Sequence, residues 1–197
     1  MKTGLDKLTH KMLPGGKIGL LSHYAAVNSV YIPSIDVIAA MPDTELKMLF
    51  GPQHGFNGET QDNMIEWEGY THPGYGIPVY SLYGANRKPA PEMLKGLDCL
   101  VVDLQDAGAR YYTYVYTMAY CMRACAEADV PVVVLDRPNP LGDSVIEGQP
   151  LRNGYESFVG LYPIPVRHGL TIGEMALLFA RFDSLPRPAV IQMEGWD

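Results

Sequence analysis

Two apolar runs, Leu97-Asp98-Cys99-Leu100-Val101-Val102-Asp103-Leu104 and Val130-Pro131-Val132-Val133-Val134-Leu135, each end abruptly in a dense polar cluster. The clusters are Asp103-Leu104-Gln105-Asp106-Ala107-Gly108-Ala109-Arg110 and Asp136-Arg137-Pro138-Asn139-Pro140-Leu141-Gly142-Asp143. Runs this short, rich in β-branched side chains and separated by a helical stretch, read as neighbouring parallel strands buried on both faces. Open α/β sheets bind ligands beyond the carboxyl ends of their strands. Both clusters fall there, so the chain is expected to carry a site at that edge.

The flanking sequence extends the pattern. Lys17 to Ser22 reads as a first strand, Ile32 to Met41 as a short helix, and Glu45 to Phe50 as a second strand, which together make a β-α-β unit. From Gln53 to Pro78 the chain is polar and glycine-rich, and at about 25 residues it exceeds an ordinary connection. Ile77 to Tyr83 is a short strand candidate and Pro91 to Lys95 a helical turn. Tyr112 to Ala128 has small and apolar residues at helical spacing. Ile164 to His168 reads as another short extended piece, Thr171 to Phe182 as a helix, and Ala189 to Met193 as a last strand. With no repeat and no linker, 197 residues suit a single α/β domain spanning 1–197.

A net charge of −7 and a pI near 5.2 argue against a nucleic-acid or anionic-membrane surface, and a small ligand fits better. Cys99, Cys121 and Cys125 have neither zinc spacing nor a disulfide framework and read as buried thiols. Met1 to Pro14 lacks the apolar centre of a signal peptide, and no stretch approaches the ~18 apolar residues of a membrane span. A cytoplasmic location is the expectation, or an extracytoplasmic one if a leader has been removed; an oligomer is compatible with either.

Several strand ends deliver polar groups to one edge: Ser22 and His23, His54, Asp103 and Asp106, Asp136 and Arg137. Convergence of this kind is how α/β enzymes assemble sites, although an aspartate ending a strand also serves as a helix cap or turn acceptor. Pro138 and Pro140 hold Asp136, Arg137 and Asn139 close together. Thr171-Ile172-Gly173-Glu174 has the spacing of a capping box, which competes with a chemical role for Glu174. Glu147 lies outside any expected helix and is the stronger carboxylate candidate. His54 and His168 each adjoin a glycine at a strand end without a metal-ligand partner at helical spacing. The tyrosines 111, 112, 114 and 116 suit a sugar ring, offering an apolar face and a hydroxyl. The chain lacks Gly-x-Gly-x-x-Gly, a P-loop and a Gly-x-Ser-x-Gly elbow, which disfavours nucleotide enzymes and serine hydrolases.

Five ordered blocks carry a resemblance. Gly51-Pro52-Gln53-His54-Gly55-Phe56, Pro78 to Gly84, Asp103 to Tyr114, Leu135 to Pro140 and Arg167 to Glu174 together resemble the motifs of the DUF1343 family. The resemblance implies a Rossmann-like three-layer domain with a mostly parallel sheet, without the auxiliary C-terminal domain that family members carry beyond the point matching Trp196. It implies a glycoside hydrolase without cofactor or metal, an exo-β-N-acetylmuramidase acting on a small saccharide or muropeptide from peptidoglycan. A non-catalytic muramyl-sugar binding module and a hydrolase of a different glycoside are the alternatives.

In the family block Gly-Pro-Glu-His-Gly this chain has Gln53, and an amide can hydrogen-bond a sugar but cannot shuttle a proton. Glycoside hydrolysis ordinarily uses two carboxyl groups. Glu147 is the expected acid or base, with Asp106 or Asp136 as partner and Glu174 as a further candidate. Substrate assistance by the N-acetyl oxygen would require only one. Substrate contacts are expected from Gln53, His54, Asp103, Gln105, Arg110, Tyr112, Arg137, Asn139, Arg167 and His168. Among them Arg137, Arg110 or Arg167 is expected to fork onto the lactyl carboxylate of muramic acid.

Overall fold

The structure, a computed structural model, describes residues 1–58, 60 and 65–196. Its strands are β1 (Lys17–Ser22), β2 (Glu45–Gly51), β3 (Tyr70–Thr71), β4 (Pro78–Ser81), β5 (Cys99–Asp103), β6 (Val132–Leu135) and β7 (Ala189–Ile191). They form one sheet in the order β3-β4-β2-β1-β5-β6-β7, parallel except for β3 at its edge. The two apolar runs that define the fold are neighbours in register, with Leu100 opposite Val132 and Val102 opposite Val134. The helices are α1 (Gly4–Lys7), α2 (Ser34–Ala39), α3 (Pro91–Leu94), α4 (Tyr114–Glu127) and α5 (Ile172–Phe182).

Strand alternation sorts the apolar side chains into two cores, because successive residues point to opposite faces. Leu100 and Val102 pack with Leu21, Phe50 and Val134 beneath α4 and α5, including Met118, Cys121, Cys125, Met175 and Phe179. Cys99 and Val101 pack with Ile18, Leu20, Leu49, Val133 and Ile191 on the other face, against Leu5 and Leu8 from the α1 end and Ile35 and Ile38 of α2. Helices thus cover both faces of the sheet, the expected three-layer arrangement. All three cysteines are buried and free, and burial pushes the Cys99 thiol up to about 12. Among the described residues no helix is long and apolar enough to cross a membrane.

Three local expectations change. Thr3-Gly4-Leu5-Asp6 closes a capping box that starts α1, where no helix was expected. The irregular stretch after Gln53 contains β3, whose Tyr70 and Thr71 pair antiparallel with Val79 and Pro78; residues 59 and 61–64 of that stretch lie outside the described ones. Ile164 to His168 forms no strand. Arg167 instead makes isolated antiparallel bridges to Ala109 and Glu147.

The chain visits β2 and β4 on one side of β1 before placing β5 on the other. The direction of winding therefore reverses at β1 and β5, and the crevice beyond their carboxyl ends is where this class of sheet takes ligands.

Candidate active site

Past the ends of β5 and β6 the charges answer one another. Arg137 Nε donates to Asp103 Oδ1 at 2.6 Å and Nη2 to Oδ2 at 2.9 Å, with both side chains almost fully buried. Arg137 also donates to the carbonyl of Val27. Burial lifts the Asp103 pKa, and the guanidinium fork opposes that rise. Asp136 Oδ1 accepts from the backbone N–H groups of Arg137 and Gly173, at 3.1 and 2.8 Å, and so ties β6 to the first turn of α5. Burial raises its pKa against those bonds. A Cβ at Gly173 would come within 2.6 Å of Val190 and 2.8 Å of Asp136, so only glycine admits this approach. Asp103, Arg137 and Asp136, all expected at the site, thus bond to one another or to framework backbone in this structure.

The same holds for most of the loop residues expected at the site. Asn139 donates to Leu170 O and accepts from Leu141 N, fixing the turn after Pro138. Gly108 lies against that amide with a φ of +83°, a position closed to any residue with a side chain. Arg110 donates to the carbonyls of Gln149 and Ile164, both at 2.8 Å. Arg167 pairs with Glu147 at 3.0 Å and donates to Leu141 O. Glu147 itself is exposed and is not among the described residues lining the cavity beside Gln105. Glu174 closes the capping box, accepting from Thr171 N at 2.9 Å while Thr171 Oγ1 accepts from Glu174 N at 3.2 Å.

Asp106 and His168 form a buried couple. Oδ2 of Asp106 accepts from Gly108 N at 2.7 Å and lies 3.4 Å from His168 Nε2, while Oδ1, like His168 Nε2, is buried with no hydrogen-bond partner among the described residues. His168 Nδ1 accepts from Leu170 N, which turns Nε2 toward the carboxylate. A buried carboxylate oxygen without a donor is uncommon and costly unless function retains it.

The residues flanking Asp106 open onto a cavity of about 810 Å³, a size suited to one or two sugar units. Gln53 and His54 from the end of β2, Gln105 and Ala107 from the end of β5, and Tyr111 to Tyr114 leading into α4 line it. Tyr83, Arg87, Ser157, Phe158 and Val159 complete the wall. Gln53 Oε1 accepts from Thr113 Oγ1 at 2.8 Å, which leaves its NH2 group to a ligand. His54, at a φ of +72°, donates from Nδ1 to Thr60 O at 3.0 Å and keeps Nε2 as an acceptor. Gln105 is oriented by bonds from its amide to Asp106 O and Pro138 O. Tyr112 is 56% exposed, enough ring for a sugar face. Of the expected contacts, the structure therefore brings together Gln53, His54, Gln105 and Tyr112.

Other contributors, His23, Arg87 and Phe158 among them, were not among the expected contacts. His23, at the winding reversal, accepts from Gln105 N at 2.9 Å and packs edge-on to Tyr114 at 4.7 Å. Burial, aided by the Arg137 charge, depresses its pKa to about 3, so it stays neutral. Its position one residue past β1 was the available signal. Arg87 and Phe158 come from loops without periodicity or motif, and nothing local marks them.

Comparison with known proteins places this geometry. Residues 18–197 match the family described as exo-beta-N-acetylmuramidase NamZ, N-terminal. The chain is similar over its full length to the peptidoglycan beta-N-acetylmuramidase NamZ of Bacillus subtilis (strain 168), at 48% identity, and covers 48% of that protein. Two crystal structures of DUF1343 family proteins from Bacteroides fragilis NCTC 9343 share the fold. One is 42% identical with a TM-score of 0.88, matching all of this chain and 50% of its own. The other is 33% identical with a TM-score of 0.81, matching 99% of this chain and 52% of its own. The chain spans about half the length of these relatives.

Proposed function

Because the chain belongs to the family of NamZ N-terminal domains, we propose that it supplies the sugar site of an exo-β-N-acetylmuramidase, releasing N-acetylmuramic acid from non-reducing ends of peptidoglycan fragments. The observation that carries this reading is the cavity at the carboxyl ends of β2 and β5. It presents an exposed tyrosine face, two side-chain amides and a histidine acceptor to a ligand, the donor and acceptor mix that a pyranose with an N-acetyl group needs. Gln53 and Gln105 hold hydroxyls or the acetamide, and Tyr112 covers a ring face.

Among the described residues no aspartate or glutamate lines the cavity wall. Asp106, whose chain neighbours Gln105 and Ala107 do line it, is the nearest of the expected carboxylates by position in the chain. With His168 behind it, Asp106 is the acid/base group of this account. One protein carboxyl suffices if the substrate's acetamide oxygen attacks the anomeric carbon. Incubation with N-acetylmuramic acid β-linked to N-acetylglucosamine, followed by mass spectrometry, is expected to show free N-acetylmuramic acid. Asp106→Asn should lower that rate at least a hundredfold, and an unchanged rate removes Asp106 from the chemistry.

The carboxylate-free wall and Gln53 favour one second reading, a module that binds the sugar without cleaving it. Saturable binding with no released product, both for this chain and for one extended by the second half of its relatives, would establish that reading instead.

A further inference from the structure

This inference rests on the muramic-acid reading above and asks which group tells that sugar from N-acetylglucosamine. The two differ by a 3-O-lactyl ether, which adds one carboxylate. Each arginine expected to meet it is already committed: Arg137 to Asp103, Arg110 to two carbonyls, and Arg167 to Glu147 and Leu141 O.

Arg87 is different. It is the one arginine or lysine in the described cavity wall, and no carboxylate lies beside it there. Its guanidinium sits 4.2 Å from the ring centre of Phe158 and 5.0 Å from that of Tyr83. Those rings are themselves braced, Phe158 stacking on Tyr120 at 6.0 Å and lying 5.7 Å from Tyr83. Contact with aromatic faces satisfies the cation without using its N–H groups as donors to oxygen. The aromatic rest also fixes the side chain in advance, so less rotamer freedom is lost when a ligand binds. The neighbouring Lys88 is drawn away by Glu127 at 2.5 Å and does not compete. In a chain of net charge −7, a cation with no carboxylate among the described wall residues is a selective feature for an anion.

We infer that Arg87 is the specificity-determining residue for the substrate carboxylate, forking onto the lactyl group of muramic acid from its seat on Phe158 and Tyr83. It is a binding and positioning residue, and the bond-breaking step does not pass through it.

The test is calorimetric titration of this chain, and of Arg87→Gln and Arg87→Lys, with N-acetylmuramic acid, its methyl ester and N-acetylglucosamine. The wild type should bind the free acid roughly ten- to a hundredfold more tightly than either neutral sugar, the size of a charge-assisted hydrogen-bond pair. Arg87→Gln should erase that preference, with an unchanged circular-dichroism spectrum and thermal midpoint showing that the variant is folded. Arg87→Lys should retain part of it, having the charge but not the fork. A preference that survives in Arg87→Gln overturns the inference while the muramic-acid reading stands. A wild type without any preference for the acid contradicts that reading itself, and the role of Arg87 with it.

Discussion

The carboxyl edge of the sheet has two halves, and they handle polar groups in opposite ways. Beyond β5 and β6, Asp103, Arg137, Asp136 and Asn139 are buried and bonded to one another or to backbone. Beyond β2 and along the approach to α4, Gln53, His54 and Tyr112 are partly exposed and keep hydrogen-bonding capacity in reserve. The first half carries more charge and looks more like an active site in sequence. The second half has the room and the unspent donors and acceptors. Charge density at strand ends therefore marks the edge, while spare valence marks the proposed site.

The sharpest way to break this contrast is to open the buried fork. Arg137→Met leaves Asp103 uncompensated, and urea denaturation should show a loss of roughly 3–5 kcal/mol. Asp103→Leu combined with Arg137→Met should recover most of it, since removing both charges leaves none unpaired. A single variant as stable as the wild type would mean that the fork is not framework.

His23 joins the two halves and adds a pH dependence. Its folded pKa, about 3, lies below the ordinary value of 6.5, so the unfolded chain binds the proton first. The stability contributed by neutral His23 is complete above pH 6.5 and falls as the pH drops from 6.5 toward 3. The slope approaches about 1.4 kcal/mol per pH unit. Denaturation midpoints followed from pH 6 to 4 should drop more steeply for the wild type than for His23→Gln, and equal slopes would contradict the buried neutral ring.

A smaller effect is expected on the open half. Tyr112→Ala should weaken N-acetylmuramic acid binding about tenfold, within the range of an aromatic contact, while the thermal midpoint stays in place because the ring is exposed. Loss of stability without loss of affinity would assign Tyr112 to the framework. The smallest effect belongs to Glu147→Gln. An exposed ion pair contributes about 0–1 kcal/mol, and turnover should stay within twofold of the wild type. A hundredfold loss would return Glu147 to the reaction.

The sheet was legible because its signal is local. The runs 97–104 and 130–135 are the neighbouring strands β5 and β6, and the capping box at Thr171 starts α5. The site was legible only as an edge. Asp103 and Arg137 are 34 residues apart, and no spacing rule shows that the fold spends each on the other. Gln53, His54, Gln105 and Tyr112 could be placed because each follows a strand or precedes a helix. Arg87 and Phe158 could not, since their meeting over the cavity is made by the fold alone.

The most direct test of this account is a crystal structure of the chain with N-acetylmuramic acid. The sugar is expected between Gln53, Gln105 and Tyr112, with the Asp103–Arg137 fork closed. A sugar seated against Glu147 and Arg167, or bonded to an opened Arg137, would contradict it.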